Sequence, residues 1–163
     1  MVDSSLVTFG NWLQNRSFAL AVLTSEWAYP FVQATHFTGL SLWVGTTVAT
    51  DLSLMGVGKQ HQSPLQLLNA LVVWNWIGFF IAVLGGFLLF SASAATYLIN
   101  PAFLIKLGVL IPLALTLHIV IQQKMPKWGQ GPDLPRQARI AGWVELLLWI
   151  SVVTAAVAIP YVG

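Results

Sequence analysis

Four ionisable side chains fall inside long apolar runs of this chain: His36, Lys106, His118 and Glu145. A charge within hydrocarbon is costly, so each such residue marks either a functional group or a pair with a neighbour. An imidazole at position 36 suits an axial ligand to haem iron or a proton-handling group. The same ring suits a hydrogen bond to a facing carbonyl or hydroxyl equally well. Lys106 has a stem long enough to snorkel to the interface, or an amine to meet a cofactor carboxylate or an iron. His118 and Glu145 are placed to pair across two helices, as a structural ion pair or as a proton relay. His61, beside Lys59 in a polar stretch, reads as a solvated residue.

Depth decides which of these groups can meet. At 1.5 Å rise per residue, His36 lies roughly 12 Å and Lys106 roughly 8 Å from the outer ends of their helices, while His118 lies roughly 25 Å in. His36 and Lys106 therefore share the outer leaflet. His118 belongs to the inner leaflet and is poorly placed to ligate one haem together with His36. Twelve steps of 100° put Lys106 and His118 about 120° apart around their helix.

Two stripes accompany these residues. Tyr29, Gln33, His36, Trp43, Thr47 and Thr50 recur at three-, four- or seven-residue steps, which draws a polar and aromatic face that must point inward. Asn75, Gly78, Ala82 and Gly85, with Gly86 adjoining, form a stripe of small residues. Such a stripe serves close helix packing of the small-xxx-small kind, or it leaves room for a flat cofactor.

The elements that must position these residues are membrane helices. Of 163 residues, 57% are hydrophobic and 7% charged, against about a quarter charged in an ordinary soluble domain. With a mean hydropathy of +0.78, such a chain cannot dress a water-facing surface. Four apolar segments reach the roughly 20 residues that a bilayer requires, at about 28–50, 64–97, 101–122 and 140–159. Glu26 and Asp51 bracket the first. Ser63-Pro64 opens the second as N-cap and first-turn proline. Asn100-Pro101 breaks the chain before the third, and Pro112 should kink the third by freeing the Gly108 carbonyl. Residues 1–26, with Leu6, Phe9, Leu13 and Leu20 near helical spacing, are too polar to span and suit an interfacial helix, with a disordered tail as the alternative. They lack the basic n-region of a cleaved signal peptide, opening instead with Asp3, Ser4 and Ser5. The fold expected is thus all-α, an up-down bundle of four transmembrane helices over residues 27–163 with an N-terminal interfacial helix.

Basic residues orient it. Lys59, Lys124, Lys127, Arg136 and Arg139 fall in loops on one side, which the positive-inside rule makes cytoplasmic, so both termini face outward across a bacterial inner membrane. The pI near 9.2 reflects this clustering and is no nucleic-acid footprint. Cys is absent, which excludes disulfides, thiolate iron–sulfur clusters and covalently attached haem. Three Met and three His, scattered, form no ladder for a soft metal.

The runs WAYPFVQATHFTGLSLWVGTTVATDLSLMG and GGFLLFSASAATYLINPAFLIKLGVL resemble a family of small uncharacterised bacterial four-helix membrane proteins. More distantly they are similar to the membrane domain of copper-resistance protein D and to HemJ-type protoporphyrinogen oxidases. The marks are the H-x-x-G of His36 and Gly39, the Asp51-Leu52 step and the I-K-L around Lys106. The resemblance implies haem b, with His36 as axial ligand and Lys106 as its partner. Two departures stand out. Ser53 occupies the place of an Arg in the relatives' Asp-Leu-Arg-Leu, and no Arg lies near Thr154, Ala155 and Ala156 where relatives often carry Gly-Arg.

The expectations are therefore a haem b site at His36 and Lys106, lined by Gly39, Gly78 and Gly85, in a lipid-embedded protein that passes electrons to a redox partner. An enzyme of HemJ type using the same pair is one alternative. A cofactor-free assembly subunit of a membrane complex, or a transporter, is the other.

Overall fold

The structure is a computed structural model and describes residues 4–57, 63–129 and 133–162. Asp3, Lys59 and His61 lie outside the described residues. All regular structure among the described residues is helical. Two short helices come first, α1 (Ser4–Gln14) and α2 (Ser17–Thr24), followed by the long helices α3 (Ala28–Met55) and α4 (Pro64–Ala92) and a single turn, α5 (Ala94–Tyr97). The next helix is continuous in direction but composite: α6 (Pro101–Ile105), a π-helical turn (Lys106–Leu110) and α7 (Ile111–Trp128). Last comes α8 (Arg136–Ala158), closed by a 3-10 turn (Ile159–Tyr161).

Three of these helices, Pro64–Ala92, Pro101–Trp128 and Arg136–Tyr161, are long and apolar enough to cross a membrane. Only 22%, 17% and 22% of their most apolar stretches are buried. Their hydrocarbon surface points outward, at Val73, Phe80, Leu84, Leu113, Leu147 and Val157 for example, and so requires an apolar surrounding. Helix α3 is equally long but less apolar, because Gln33, His36, Asp51 and a series of Ser and Thr occupy it. Its hydroxyls bond back to carbonyls three or four residues earlier, as Thr46 does to Leu42 at 2.7 Å and Thr47 to Trp43 at 2.9 Å. The threonine hydroxyl hydrogens are thereby satisfied within the helix, whereas the buried Trp43 Nε1–H on the same face has no hydrogen-bond partner.

The helix ends follow from local chemistry. Ser63 and Gln66 form a reciprocal capping box, with Ser63 Oγ accepting from Gln66 N at 3.3 Å and Gln66 Oε1 from Ser63 N at 2.9 Å. Helix α3 runs past Asp51 to Met55 and stops in a Schellman motif at Gly56, whose φ is 76°, with Val57 N–H on Leu52 O and Gly56 N–H on Ser53 O. Asp51 is therefore not the end of the first helix. The segment 124–139, expected as a loop, contributes its first five residues to α7 and its last four to α8. Asn100 caps α6 through Phe103 N at 3.1 Å and also donates to Ile159 O and Val162 O, at 2.9 and 2.6 Å. One side chain thus ties the α5–α6 turn to the end of α8.

Pro112 acts through the π turn ahead of it. A proline ring excludes the carbonyl four residues back, and Ile111 N–H reaches Lys106 O, five residues back. An i→i+5 turn takes up one extra residue. Lys106 and His118 are then separated by eleven effective steps, roughly 20° rather than 120° around the axis. The two residues expected on different faces share one.

Helix α3 packs principally on α4 and then on α8, and α7 packs on α8. The seam between α3 and α4 is built on glycine. A Cβ at Gly39 would stand 2.5 Å from Ala82 N, and one at Gly78 2.6 Å from Trp43 N. The N-terminal residues are helical, with α1 against α5 and α2 against α4. Gly10 permits the first contact, since a Cβ there would lie 2.6 Å from Ala95 Cα.

Candidate functional site

The polar interior forms two levels, seven residues and so roughly 10 Å apart along α3. The outer level centres on His36. Its ring is half-buried against Gly85 and Gly86, where a Cβ would lie 2.9 Å from His36 Cβ and 2.9 Å from His36 Cε1 respectively. Nδ1–H donates to the Ala82 carbonyl at 2.6 Å. That bond fixes the tautomer and leaves Nε2 with a lone pair. Lys106, from the π turn, is also half-buried and near enough for its charge to act on His36. Its amine lies 5.2 Å from the centroid of the Phe103 ring. Phe103 stacks on Phe90 of α4 at 5.3 Å and 8°, which closes the outer end of this level.

The small-residue stripe is filled by α3. Gly39, Gly78, Ala82 and Gly85 are all buried at backbone-to-backbone contact, so the room left by their missing side chains holds a helix. A flat group beside His36 has only the side of the ring away from Gly85 and Gly86, and Lys106, whose charge acts on His36, stands on the π turn that follows α6. Those elements pack principally on α8 rather than on α3 or α4. A separate groove of 170 Å³ between α3 and α8, lined by Val44, Val48, Leu146, Trp149, Ile150 and Val153, is smaller than the ~300–1,000 Å³ of ligand pockets. It carries no nitrogen ligand.

The inner level is the more connected. His118 Nδ1 meets Glu145 Oε1 at 2.5 Å, and both side chains are buried. Trp149 Nε1–H also donates to Glu145 Oε1, at 3.3 Å. His118 Nε2 lies 2.9 Å from Asn75 Oδ1 and 2.8 Å from Gln122 Nε2. Asn75 is held by its amide nitrogen, whose two hydrogens are shared among three acceptors, Trp43 O at 3.2 Å, Thr46 Oγ1 at 2.8 Å and Thr47 Oγ1 at 2.9 Å. Gln122 Oε1 accepts from Trp76 Nε1 at 3.2 Å. Rings enclose the cluster: Trp43 lies 4.7 Å from His118, 5.4 Å from Trp149 and 5.5 Å from Trp76 between centroids.

Asp51 completes this level. It is 1% exposed, neither carboxyl oxygen has a donor in hydrogen-bond contact, and the group facing it is the Glu145 carboxyl. Gly142 admits the approach, since a Cβ there would stand 3.0 Å from the Asp51 carbonyl oxygen.

The pairing of His118 with Glu145 is thus present, whereas the polar partner of His36 is the Ala82 carbonyl rather than Lys106. Asp51, Asn75 and Gln122 were not expected in a site. Asp51 reads in the sequence as a helix boundary and Asn75 as a small residue in a packing stripe. Their one sequence signal is that Trp43, Thr47 and Asp51 follow each other at steps of four. Among the described residues, no group of three or more His, Cys, Asp or Glu is arranged to hold a metal ion. No protein-family model, curated protein or solved structure matches the chain.

Proposed function

We propose that this is a multi-pass protein of the bacterial inner membrane whose four long helices all span the bilayer, and that it binds haem b at His36 and acts in membrane electron transfer. The observation that carries the reading is the bond from His36 Nδ1–H to the Ala82 carbonyl. Metal-ligating histidines are oriented this way, with one ring nitrogen donating to a carbonyl and the other free to ligate. Lys106, half-buried at the same level, supplies a cation for a propionate carboxylate or a second nitrogen donor. Bound there, haem would supply one-electron chemistry to a redox partner in the membrane. Lys124, Lys127, Arg136 and Arg139 are all exposed at the opposite end, which supports a cytoplasmic basic end, termini outside, and α1–α2 at the outer interface.

A second reading, a cofactor-free subunit of a membrane complex, is favoured by the closed seam at Gly39, Gly78 and Ala82. Oxidised and reduced visible spectra of the detergent-solubilised protein from haem-replete cells separate the two. The haem reading expects a Soret band that His36→Ala abolishes and His118→Ala retains. No band in the wild type refutes it. A band lost only in His118→Ala moves the site to the inner level. If haem is bound, oxidation of a porphyrinogen by the holoprotein distinguishes a HemJ-type enzyme from an electron carrier.

A further inference from the structure

Two features of the inner level bear on where its protons reside. Two carboxyl groups that face each other have only acceptor oxygens when both are ionised. Asp51, 1% exposed, faces Glu145 with no other donor in reach. Burying an acceptor or a charge without a donor is strongly unfavourable, and one proton between the two carboxyls removes the conflict.

The second feature is at His118. Nδ1–H donates to Glu145, whose Oε1 also receives Trp149. Nε2 stands between an acceptor and a donor. Asn75 is fixed with Oδ1 toward the ring, because its amide hydrogens are engaged by Thr46, Thr47 and Trp43 O, and both hydroxyls give their own hydrogens to backbone carbonyls. Gln122 is fixed with its nitrogen toward the ring, because its oxygen accepts from Trp76. A protonated Nε2 satisfies Asn75 and opposes Gln122. A bare Nε2 satisfies Gln122 and opposes Asn75. Neither state satisfies both neighbours, so their hydrogen bonds do not fix the Nε2 proton.

We propose that Asp51, Glu145 and His118 form a buried proton-binding chain, with one proton shared between the two carboxyls and a second that enters and leaves at His118 Nε2. The chain links α3, α8 and α7. The groups facing it are Asn75 from α4 and Gln122 from α7, both neutral. Gln122 is half-exposed and two residues from the exposed Lys124, so Nε2 is the end nearest water at the basic face. Release of the Nε2 proton to water leaves a neutral imidazole that accepts from Gln122, and uptake regenerates an imidazolium paired with Glu145. No electron moves in either direction. This site is separate from His36 and does not depend on haem.

Infrared difference spectroscopy of the full-length protein in detergent or nanodiscs tests the carboxyl half. At neutral pH the wild type should show a protonated-carboxyl C=O stretch that shifts in D2O. With three Asp and two Glu in the whole chain, the band should move on labelling with [13C]Asp or [13C]Glu, which requires no mutation. Asp51→Asn and Glu145→Gln should each abolish it, because an amide donates to the remaining carboxylate as the shared proton did. Absence of the band in the wild type, as a metal cation bridging the carboxyls would give, overturns the proposal. So does a band that survives both substitutions.

15N NMR of [15N]His protein tests the other half. His118 Nε2 should pass between protonated and unprotonated forms as pH is varied, and should remain protonated in Gln122→Met, where the competing donor is gone. A signal that is invariant with pH in the wild type overturns the exchange.

Discussion

Gly78 and Gly45 are both glycines in the interior of long helices, and replacing each by alanine should change stability in opposite directions. A Cβ at Gly78 would stand 2.6 Å from Trp43 N, 3.0 Å from Gly39 O and 3.0 Å from Leu42 Cβ. The first two are backbone atoms and cannot rotate away. Restoring van der Waals contact at 3.5–4.0 Å requires α3 and α4 to separate by roughly 1 Å. The two Asn75 amide hydrogens cross the same seam to acceptors at 3.2, 2.8 and 2.9 Å, and an added ångström takes all of these contacts beyond hydrogen-bond length. Overpacking costs about 1–3 kcal/mol, and an interhelical hydrogen bond within a membrane averages about 0.6 kcal/mol. Gly78→Ala is therefore expected to destabilise the protein by about 2–4 kcal/mol. At Gly45 a Cβ meets nothing within 4 Å. Gly45→Ala should instead stabilise by about 0.5–1 kcal/mol through helix propensity. Reversible unfolding in mixed detergent micelles, followed by circular dichroism, measures both. If Gly78→Ala proves as benign as Gly45→Ala, the helices do not meet at this seam and the separation into two levels loses its basis.

Further substitutions probe the remaining contacts. Asn100→Ala removes the α6 cap and both bonds to the end of α8, and should cost about 2–3 kcal/mol at roughly 1 kcal/mol per bond; amide exchange at Phe103 should accelerate with it. Glu145→Ala leaves the His118 ring without its buried partner and should cost about 3–5 kcal/mol, whereas Glu145→Gln retains size and hydrogen-bonding capacity and should cost markedly less by the same unfolding measurement. Ser63→Ala breaks a capping box and should cost about 1 kcal/mol, with exchange protection lost in the first turn of α4 and retained near Gly78. Pro112→Ala restores the missing N–H and removes the ring that excludes an α-turn; if the π turn relaxes, the Lys106 end of the helix rotates by about 100° relative to α7, and the distance between spin labels at the exposed positions 107 and 119 should change.

Much of the architecture is legible in the sequence because the bilayer imposes length and apolarity on whatever crosses it. Ser63-Pro64 and Asn100-Pro101 mark helix starts through capping chemistry confined to three or four residues. The inner pair of His118 and Glu145 is legible as well, since axial rise puts both in the same half of the bundle. Rotation about the axis is a different matter. An unbroken α-helix sets Lys106 about 120° from His118, and one π turn cancels most of that angle.

Composition and periodicity by themselves determined that the chain is helical and apolar; they give four candidate spans, of which three are long and apolar enough in the folded chain, because polar residues interrupt α3. Tertiary structure decided what occupies the glycine stripe and which buried groups touch. Gly78 is compatible with a cofactor or with a neighbouring helix, and only the 2.6 Å approach to Trp43 N distinguishes them. Asp51 looks like a boundary because a carboxylate ends most apolar runs. It is buried because α3 continues for another turn and Gly142 lets α8 come close. Contacts between residues 51, 75, 118 and 145 are set by the mutual rotation of four helices, a property that no single helix encodes.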